Sequence, residues 1–129
     1  MIWKKSYKKL LITLCLIPSV ANAEFRHFNE WTKKEKALFT SYTLAAYIDH
    51  RQTRVGLRNG YTEANPVFGK NPHRDKSILI NSLVLAGSYY MVGYFKPDET
   101  NVVLLGGNIA RWGVVAHNNN IGISWKVAF

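Results

Sequence analysis

Two oppositely charged residues each interrupt an apolar stretch that is predicted to be helical. Asp49 follows Tyr42 and Ala45 at helical spacing, which places its carboxylate on the apolar face of the first helix. Arg111 is the one charged residue between positions 100 and 113. A charged group in apolar surroundings costs free energy unless it is paired. We therefore predict a buried Asp49–Arg111 ion pair, which either fixes the helix register or belongs to a functional site.

A second group of residues has the side chains that ligate metals or transfer protons. Their spacing matches no established metal motif, because the sequence has no H-E-x-x-H and no two histidines one helical turn apart. No serine stands in a G-x-S-x-G context, and no phosphate-binding or dinucleotide motif is present. We therefore expect no catalytic residue, no bound metal and no cofactor. The residues that a metal would use, if one were bound, are His50, Glu63, His73 and His117.

The first 23 residues have the three parts of a secretory signal peptide. Four lysines form a basic head, an apolar run follows from Leu10 to Val20, and Ala21-Asn22-Ala23 supplies the small residues before a cleavage site. The apolar run is shorter than the roughly 20 residues that cross a bilayer. We predict cleavage after residue 23, which leaves residues 24–129 as a single exported domain. Its predicted location is the inner membrane or the periplasm of a Gram-negative bacterium.

The composition of the predicted exported chain favours lipid as a partner. Residues 24–129 hold 13 basic and 8 acidic residues, which gives a net charge of +5. The two signs are mixed along the chain and no nucleic-acid-binding motif is present, so we expect anionic lipid rather than nucleic acid. A protein partner or a second copy of the chain is compatible with the same surface. The one cysteine, Cys15, lies in the leader, so the exported chain has no disulfide.

Apolar periodicity predicts three helices, at about residues 31–53, 75–95 and 100–117. The second is the strongest candidate for a membrane span, because 19 residues from Ser77 to Phe95 carry no charge; the alternative is a central core helix. In the third helix, small residues at 106, 110 and 113 predict close contact between helices. A polar seam on that helix predicts a face turned away from lipid, and its residues are Asn101, Asn108, Arg111 and Asn118.

The last nine residues change the period of the sequence. Apolar side chains alternate with small or polar ones from residue 121 to 129, which predicts a short strand. The final Phe129 is similar to the last residue of outer-membrane barrels, but one strand makes no barrel. We therefore expect an edge strand packed on the helices. The predicted fold class is all-α: a three-helix membrane-associated bundle after a cleaved signal peptide, with a short C-terminal β-strand.

The distribution of basic residues predicts a membrane topology if all three helices span. The connection from residue 50 to 76 is strongly basic, so it would lie in the cytoplasm and residue 24 would lie outside. The first helix is the weak point of this topology, because its uncharged run from residue 37 to 48 has only 12 residues. A compact helical domain lying against the membrane in the periplasm is the alternative.

Three short motifs occur together in this chain: D-x-x-Q-T at residues 49–53, E-x-N-P-x-x-G at 63–69, and H-N at 117–118. The combination resembles a family of small exported or membrane proteins of proteobacteria and their phages, over about residues 45–129. The resemblance implies no particular reaction. It implies one polar constellation near the end of the first helix, onto which the loop residues fold back. Its members are Asp49, Gln52, Thr53, Glu63, Asn65, Pro66, Gly69 and Asn118.

These observations favour a non-enzymatic protein of the cell envelope. It would act through contacts with lipid or protein, in a phage-related role such as superinfection exclusion or as a lysis accessory. A second hypothesis is a small membrane hydrolase or metal-binding protein that uses Asp49, Glu63 and His117. A third is a soluble periplasmic helical binding module. Metal content separates the second hypothesis from the first, and release by osmotic shock identifies the third.

Overall fold

The structure, a computed structural model, describes residues 24–123, and all of their regular secondary structure is helical. A short 3-10 helix, Phe28–Glu30, precedes α1 (Lys33–Arg58), α2 (Arg74–Tyr94) and α3 (Pro97–Asn120). The helical fold class and the three predicted α-helices are therefore confirmed. The leader and residues 124–129 lie outside the described residues, so the signal peptide and most of the C-terminal strand stay predictions.

Both α1 and α3 end in the same hydrogen-bonded cap, and these caps move two predicted boundaries. In α1, Gly60 has φ +86°, its N–H donates to Leu57 O, and the N–H of Tyr61 donates to Gly56 O. This Schellman motif needs a left-handed residue, which glycine adopts without steric cost. The first helix thus ends at Arg58 rather than at the predicted residue 53.

The end of α3 corrects the predicted start of the strand. Gly122 has φ +89°, and the N–H groups of Gly122 and Ile123 donate to Asn119 O and Asn118 O. Residues 121–123 are therefore a helix cap and not the first residues of a strand. The cap turns the Ile123 side chain back toward α1, where it lies 3.1 Å from the position of a Cβ on Gly56. Gly56 is thus a packing residue inside α1 rather than the helix breaker that its type suggested.

The start of α3 lies three residues earlier than predicted. Pro97 occupies the first helical position, where its missing N–H and fixed φ are compatible with the helix. Asp98 and Glu99 lie in the first turn, where negative charge is favoured by the helix dipole. The connection between α2 and α3 is consequently only two residues long, Phe95 and Lys96.

The three helices run up, down and up, so α1 and α3 are parallel neighbours. Polar contacts join these two helices along their length: Asn108 Nδ2 donates to Leu38 O at 2.9 Å, and Gln52 Nε2 donates to Val115 O at 3.0 Å. Helix α2 is antiparallel and touches the pair far less extensively. The α1–α3 pair is therefore the rigid part of the bundle.

A buried carboxylate joins the first turns of α1 and α3. Glu35 is fully buried, and its oxygens accept hydrogen bonds from Thr100 Oγ1 at 2.6 Å and from the Thr32 N–H at 2.8 Å. Two nitrogens of Arg26 also donate to it, at 3.1 and 2.7 Å. A buried charge is tolerated when it is paired and fully hydrogen-bonded, as this one is.

The segment from residue 25 to 31, the N-terminal clasp, connects this carboxylate to α2. Arg26 donates from Nη2 to Val92 O and Phe95 O, each at 2.8 Å, and its backbone N–H donates to Gly93 O at 2.8 Å. Trp31 Nε1 donates to Arg26 O, and this hydrogen bond joins the two ends of the clasp. These residues hold the end of α2 against the starts of α1 and α3.

The apolar core lies directly under the clasp. Its buried members are Trp31, Val92 and Leu104, and partly buried aromatic and aliphatic side chains surround them. The ring of Phe25 packs on the outer side of α2 against several tyrosines and covers Gly93. The bundle is thus closed by apolar packing at this end, which we call the clasp end (residues 24–36 and 92–100).

We expect Glu35 to make the stability of the protein sensitive to acid. Burial would raise the pKa of its carboxyl, but hydrogen bonds from Arg26, Thr100 and Thr32 outweigh burial and lower it from 4.5 to about 2. Because the folded-state pKa is the lower one, the stabilisation is complete above about pH 4.5 and is lost as the pH falls toward 2. Glu35→Gln should lower the urea midpoint at pH 6 and weaken the dependence on pH below 4.5. An unchanged midpoint at pH 6 would contradict this role; Asp98→Asn, at the same end, controls for the loss of one negative charge.

Two glycines of α2 offer a matched test of the clasp. A Cβ on Gly93 would overlap the Phe25 ring, whereas a Cβ on Gly87 would meet nothing within 4 Å. We expect Gly93→Ala to destabilise the protein by about 1–3 kcal/mol, because the ring must move. Gly87→Ala should instead stabilise it by about 0.5–1 kcal/mol through helix propensity. Thermal unfolding in mild detergent checks both, and equal stabilisation by the two changes would show that the ring does not pack on Gly93.

Candidate functional site

An open cleft of about 870 Å³ lies at the end of the bundle opposite the clasp. Helix α1 contributes one side of it, the second half of α3 another, and the first turns of α2 and the connection between α1 and α2 complete it. Its lining mixes polar groups from all three helices with apolar side chains such as Leu57, Phe68, Ile109 and Val114. We call this end of the molecule the cleft end (residues 49–76 and 111–123).

The predicted ion pair between Asp49 and Arg111 is present at the cleft. Arg111 Nη1 lies 2.9 Å from Asp49 Oδ2. The side chain of Asp49 is 18% exposed and that of Arg111 is 20% exposed. The guanidinium carbon of Arg111 also lies 5.6 Å from the centre of the Tyr42 ring, a cation–π distance. Arg111 is therefore held by both a carboxylate and an aromatic face, which fixes its position in the cleft.

Two amide side chains continue this polar layer. Gln52 is fully buried, and its Oε1 accepts from Asn118 Nδ2 at 3.3 Å while its Nε2 donates to a backbone carbonyl of α3. The same Asn118 Nδ2 lies 3.5 Å from Asp49 Oδ1. Asn118 thus bridges the two polar side chains of α1 and ties the last turn of α3 to them.

The E-x-N-P segment folds back onto α1, as the sequence predicted. Glu63 Oε2 accepts from Thr53 Oγ1 at 3.3 Å, and Glu63 Oε1 accepts from the Asn65 N–H at 2.8 Å. Asn65 Oδ1 in turn accepts from the Val67 N–H at 3.1 Å, which forms a local turn around the exposed Pro66. Side chains of the segment therefore accept hydrogen bonds from its own backbone N–H groups, and Glu63 lines the cleft.

Gly69 closes the loop without lining the cleft. Its φ of +80° is in the left-handed region, where glycine has no steric penalty. This turn returns the chain so that the Glu63 N–H donates to Lys70 O at 2.8 Å. Gly69 and Pro66 accordingly shape the loop. The predicted site residues that line the cleft are Asp49, Gln52, Thr53, Glu63, Asn65, Arg111 and Asn118.

The four residues considered as metal ligands do not gather at one point. His50, Glu63 and His117 line the cleft, but His73 caps the start of α2, where its ring lies 3.6 Å from Asp75 and is 80% exposed. Among residues 24–123, no three His, Cys, Asp or Glu side chains are placed to hold one metal ion. The cleft therefore places hydrogen-bond donors and acceptors beside apolar side chains.

Negative charge slightly outweighs positive charge inside the cleft. Burial raises the pKa of Asp49, the Arg111 guanidinium lowers it, and the nearby Glu63 carboxylate raises it again, so that the net shift is upward. The Asp49 carboxylate is thus paired with Arg111 and lies near a second carboxylate, that of Glu63. At His50, on the margin of the cleft beside the arginines, the sign reverses: burial lowers the pKa of its imidazole, and the positive charges of Arg54, Arg74 and Arg51 lower it further.

Helix α2 adds polar residues that the sequence analysis did not single out. Ser77 and Asn81 both line the cleft, and Asn81 Nδ2 donates to Ser77 O at 2.9 Å. Ser77 is buried, and its Oγ lies 3.3 Å from His73 O. The two residues are four positions apart on an otherwise apolar helix, and this spacing was the available signal that one face of α2 meets polar groups.

Comparisons with protein-family models, with curated proteins and with solved structures find no match for this chain. Functional inference therefore depends on the arrangement of the side chains themselves. The most informative part of that arrangement is which residues are enclosed by the bundle and which are left on its surface.

A double substitution tests the ion pair. Arg111→Leu leaves the Asp49 carboxylate buried without its partner, so we expect a loss of about 3–5 kcal/mol in the free energy of unfolding. The combined change Asp49→Leu and Arg111→Leu should cost much less, because no unpaired charge remains. Equal losses for the single and double variants, measured by urea unfolding, would argue against the pair. Asp75→Asn, which breaks the exposed contact with His73, is the control and should change stability little.

Proposed function

We propose that this chain is a small exported cell-envelope protein that associates with the inner membrane through its helices. It acts by contacts with lipid and protein rather than by catalysis. The observation that carries the proposal is the distribution of polar and apolar side chains. Of the five largest fully buried side chains among residues 24–123, four are polar: Gln52, Glu35, Thr100 and Ser77.

The outer surface has the opposite character. Large apolar side chains are exposed on every helix, and the most exposed include Val102, Ile109, Leu83, Leu79 and Tyr90. In water, apolar side chains favour the interior and exposed apolar patches mark binding surfaces. In lipid, apolar packing gives no advantage to the interior, and small or polar side chains hold helices together. The observed distribution therefore favours a lipid environment for part of the surface.

Helix α2 is the best candidate for direct contact with the hydrocarbon. Among the described helices, it alone is long and apolar enough to cross a membrane, with 21 residues. At about 1.5 Å per residue its length is close to the roughly 30 Å thickness of the hydrocarbon layer. The alternative explanation, a central core helix, requires burial, but only 17% of its most apolar window is buried. Residues 24–123 thus leave most of the apolar surface of α2 uncovered, which favours contact with lipid.

The cleft supports the non-catalytic part of the proposal. Its hydroxyl groups at Thr53 and Ser77 already lie within hydrogen-bonding distance of Glu63 and a backbone carbonyl. The Asp49 carboxylate is paired with Arg111. These contacts form a structural polar network, and the cleft that it lines is a surface for binding a partner. The resemblance of the D-x-x-Q-T and E-x-N-P segments to exported proteins of proteobacteria and their phages favours a role such as superinfection exclusion or lysis accessory.

Fractionation of cells that express a C-terminally tagged full chain tests the proposal. We expect the protein in the membrane pellet, released by detergent but not by alkaline carbonate, because apolar contact with lipid holds it there. Leu83→Glu places a charge on a side chain that is 63% exposed on α2, and it should shift the protein toward the soluble fraction. Asn29→Glu, on the exposed 3-10 helix, is the control and should leave the distribution unchanged.

One outcome would overturn the proposal. If the processed chain dissolved in detergent-free buffer as a monodisperse single copy, its exposed apolar surface would need neither lipid nor a partner. The protein would then be a soluble periplasmic module.

A further inference from the structure

The net charge of the described residues lies entirely at the cleft end. The clasp end carries five basic and five acidic residues, and residues 37–48, 77–91 and 101–110 carry none. The cleft end carries seven basic residues against three acidic ones, which gives a net charge of +4. Its basic residues are Arg51, Arg54, Arg58, Lys70, Arg74, Lys76 and Arg111. The bundle is therefore neutral at one end and strongly basic at the other.

Contacts in the structure bring several of these basic residues together around the start of α2. Arg54 Nη1 donates to Pro72 O at 3.0 Å, which holds the last turns of α1 beside the residues that precede α2. Lys76 Nζ donates to Phe68 O at 2.9 Å, which holds the loop against the first turn of α2. The lowered pKa of His50, caused first by burial and then by three surrounding arginines, agrees with this convergence.

The acidic residues of the cleft end do not neutralise this surface. Asp49 is paired with Arg111, and Glu63 accepts hydrogen bonds from the loop and from Thr53 within the cleft. Asp75 is exposed in the first turn of α2 and is the remaining acidic group. The exposed cations Arg58, Lys70, Arg74 and Lys76 thus face solvent with one carboxylate among them.

An apolar surface begins where the basic one ends. Ile78 and Leu79, which follow Lys76 and the buried Ser77 in α2, are both exposed, and Leu83 continues the apolar face. Cationic side chains beside exposed aliphatic ones match the boundary between anionic headgroups and acyl chains. A polyanion in water, such as a nucleic acid, would cover the cations and leave these aliphatic side chains exposed.

We propose that the cleft end binds the headgroups of anionic phospholipids and so orients the apolar face of α2 on an anionic membrane. The inference rests on the membrane association proposed above and adds the class of lipid and the part of the molecule that recognises it. Each Lys or Arg near an anionic surface strengthens binding by about fivefold at ordinary salt. Several such residues distinguish anionic from zwitterionic membranes.

Co-sedimentation of the full chain with vesicles tests the inference. One set of vesicles contains phosphatidylcholine alone and the other contains phosphatidylcholine with phosphatidylglycerol. We expect binding to both, with a preference for the anionic vesicles that weakens as salt is raised. Arg58→Gln combined with Arg74→Gln should reduce binding to the anionic vesicles by about thirtyfold and leave binding to the zwitterionic vesicles unchanged. Lys33→Gln combined with Lys34→Gln removes two exposed cations from the clasp end and should leave both affinities unchanged.

The outcomes separate this inference from the proposed function. Equal, salt-insensitive binding to both vesicles would overturn the lipid preference and leave membrane association standing. Binding to neither would overturn both. An equal loss of binding to anionic vesicles for the two double variants would show that charge acts without regard to position. Displacement from anionic vesicles by a short oligonucleotide would point to nucleic acid as the partner. Either result overturns the inference. Circular dichroism of each variant confirms that the helices remain folded.

Discussion

The burial of the Glu35 carboxylate is the constraint on which the rest of the structure depends. A charge with no exposed surface must be matched by donors, and here the donors come from the segment before α1, through Arg26 and Thr32, and from the first turn of α3, through Thr100. Because Arg26 also holds two carbonyls at the end of α2, one carboxylate fixes how all three helices meet. The parallel alignment of α1 and α3 that results places Asp49 opposite Arg111 at the other end.

The α1–α3 pair is specified by polar contacts more than by apolar packing. Asn108 and Gln52 each donate to a backbone carbonyl of the opposite helix, and Trp112 Nε1 donates to Ser41 Oγ at 3.0 Å. Directional bonds of this kind define one register, since a shift by one residue would leave buried amides without partners. The aliphatic side chains are consequently free to face outward, which explains how the bundle holds together while so much apolar surface remains uncovered.

The sequence predicted the site better than it predicted the ends of the bundle. The stripe through Tyr42, Ala45 and Asp49 and the pair with Arg111 follow from helical periodicity and from the cost of burying charge, whereas the return of Glu63 to α1 was implied by the family resemblance alone. The clasp has no such signature, because Arg26 binds backbone carbonyls of residues about 66 positions away. Close contact between helices was expected at positions 106, 110 and 113. A Cβ on Gly106 or Gly113 would meet nothing within 4 Å, whereas a Cβ on Gly107 would lie 3.2 Å from the Tyr42 ring. A shift of one position moves a side chain about 100° around the helix.

The parallel pairing of α1 with α3 has a consequence for how the chain is made. Thr100 lies 65 residues after Glu35, and Val115 lies 63 residues after Gln52, so neither partner exists when α1 leaves the ribosome. The first helix must emerge with its carboxylate and amide hydrated, and it can shed that water only after residues 100 and 115 have been made. Until then α1 has no partner helix and is open to capture by chaperones or proteases.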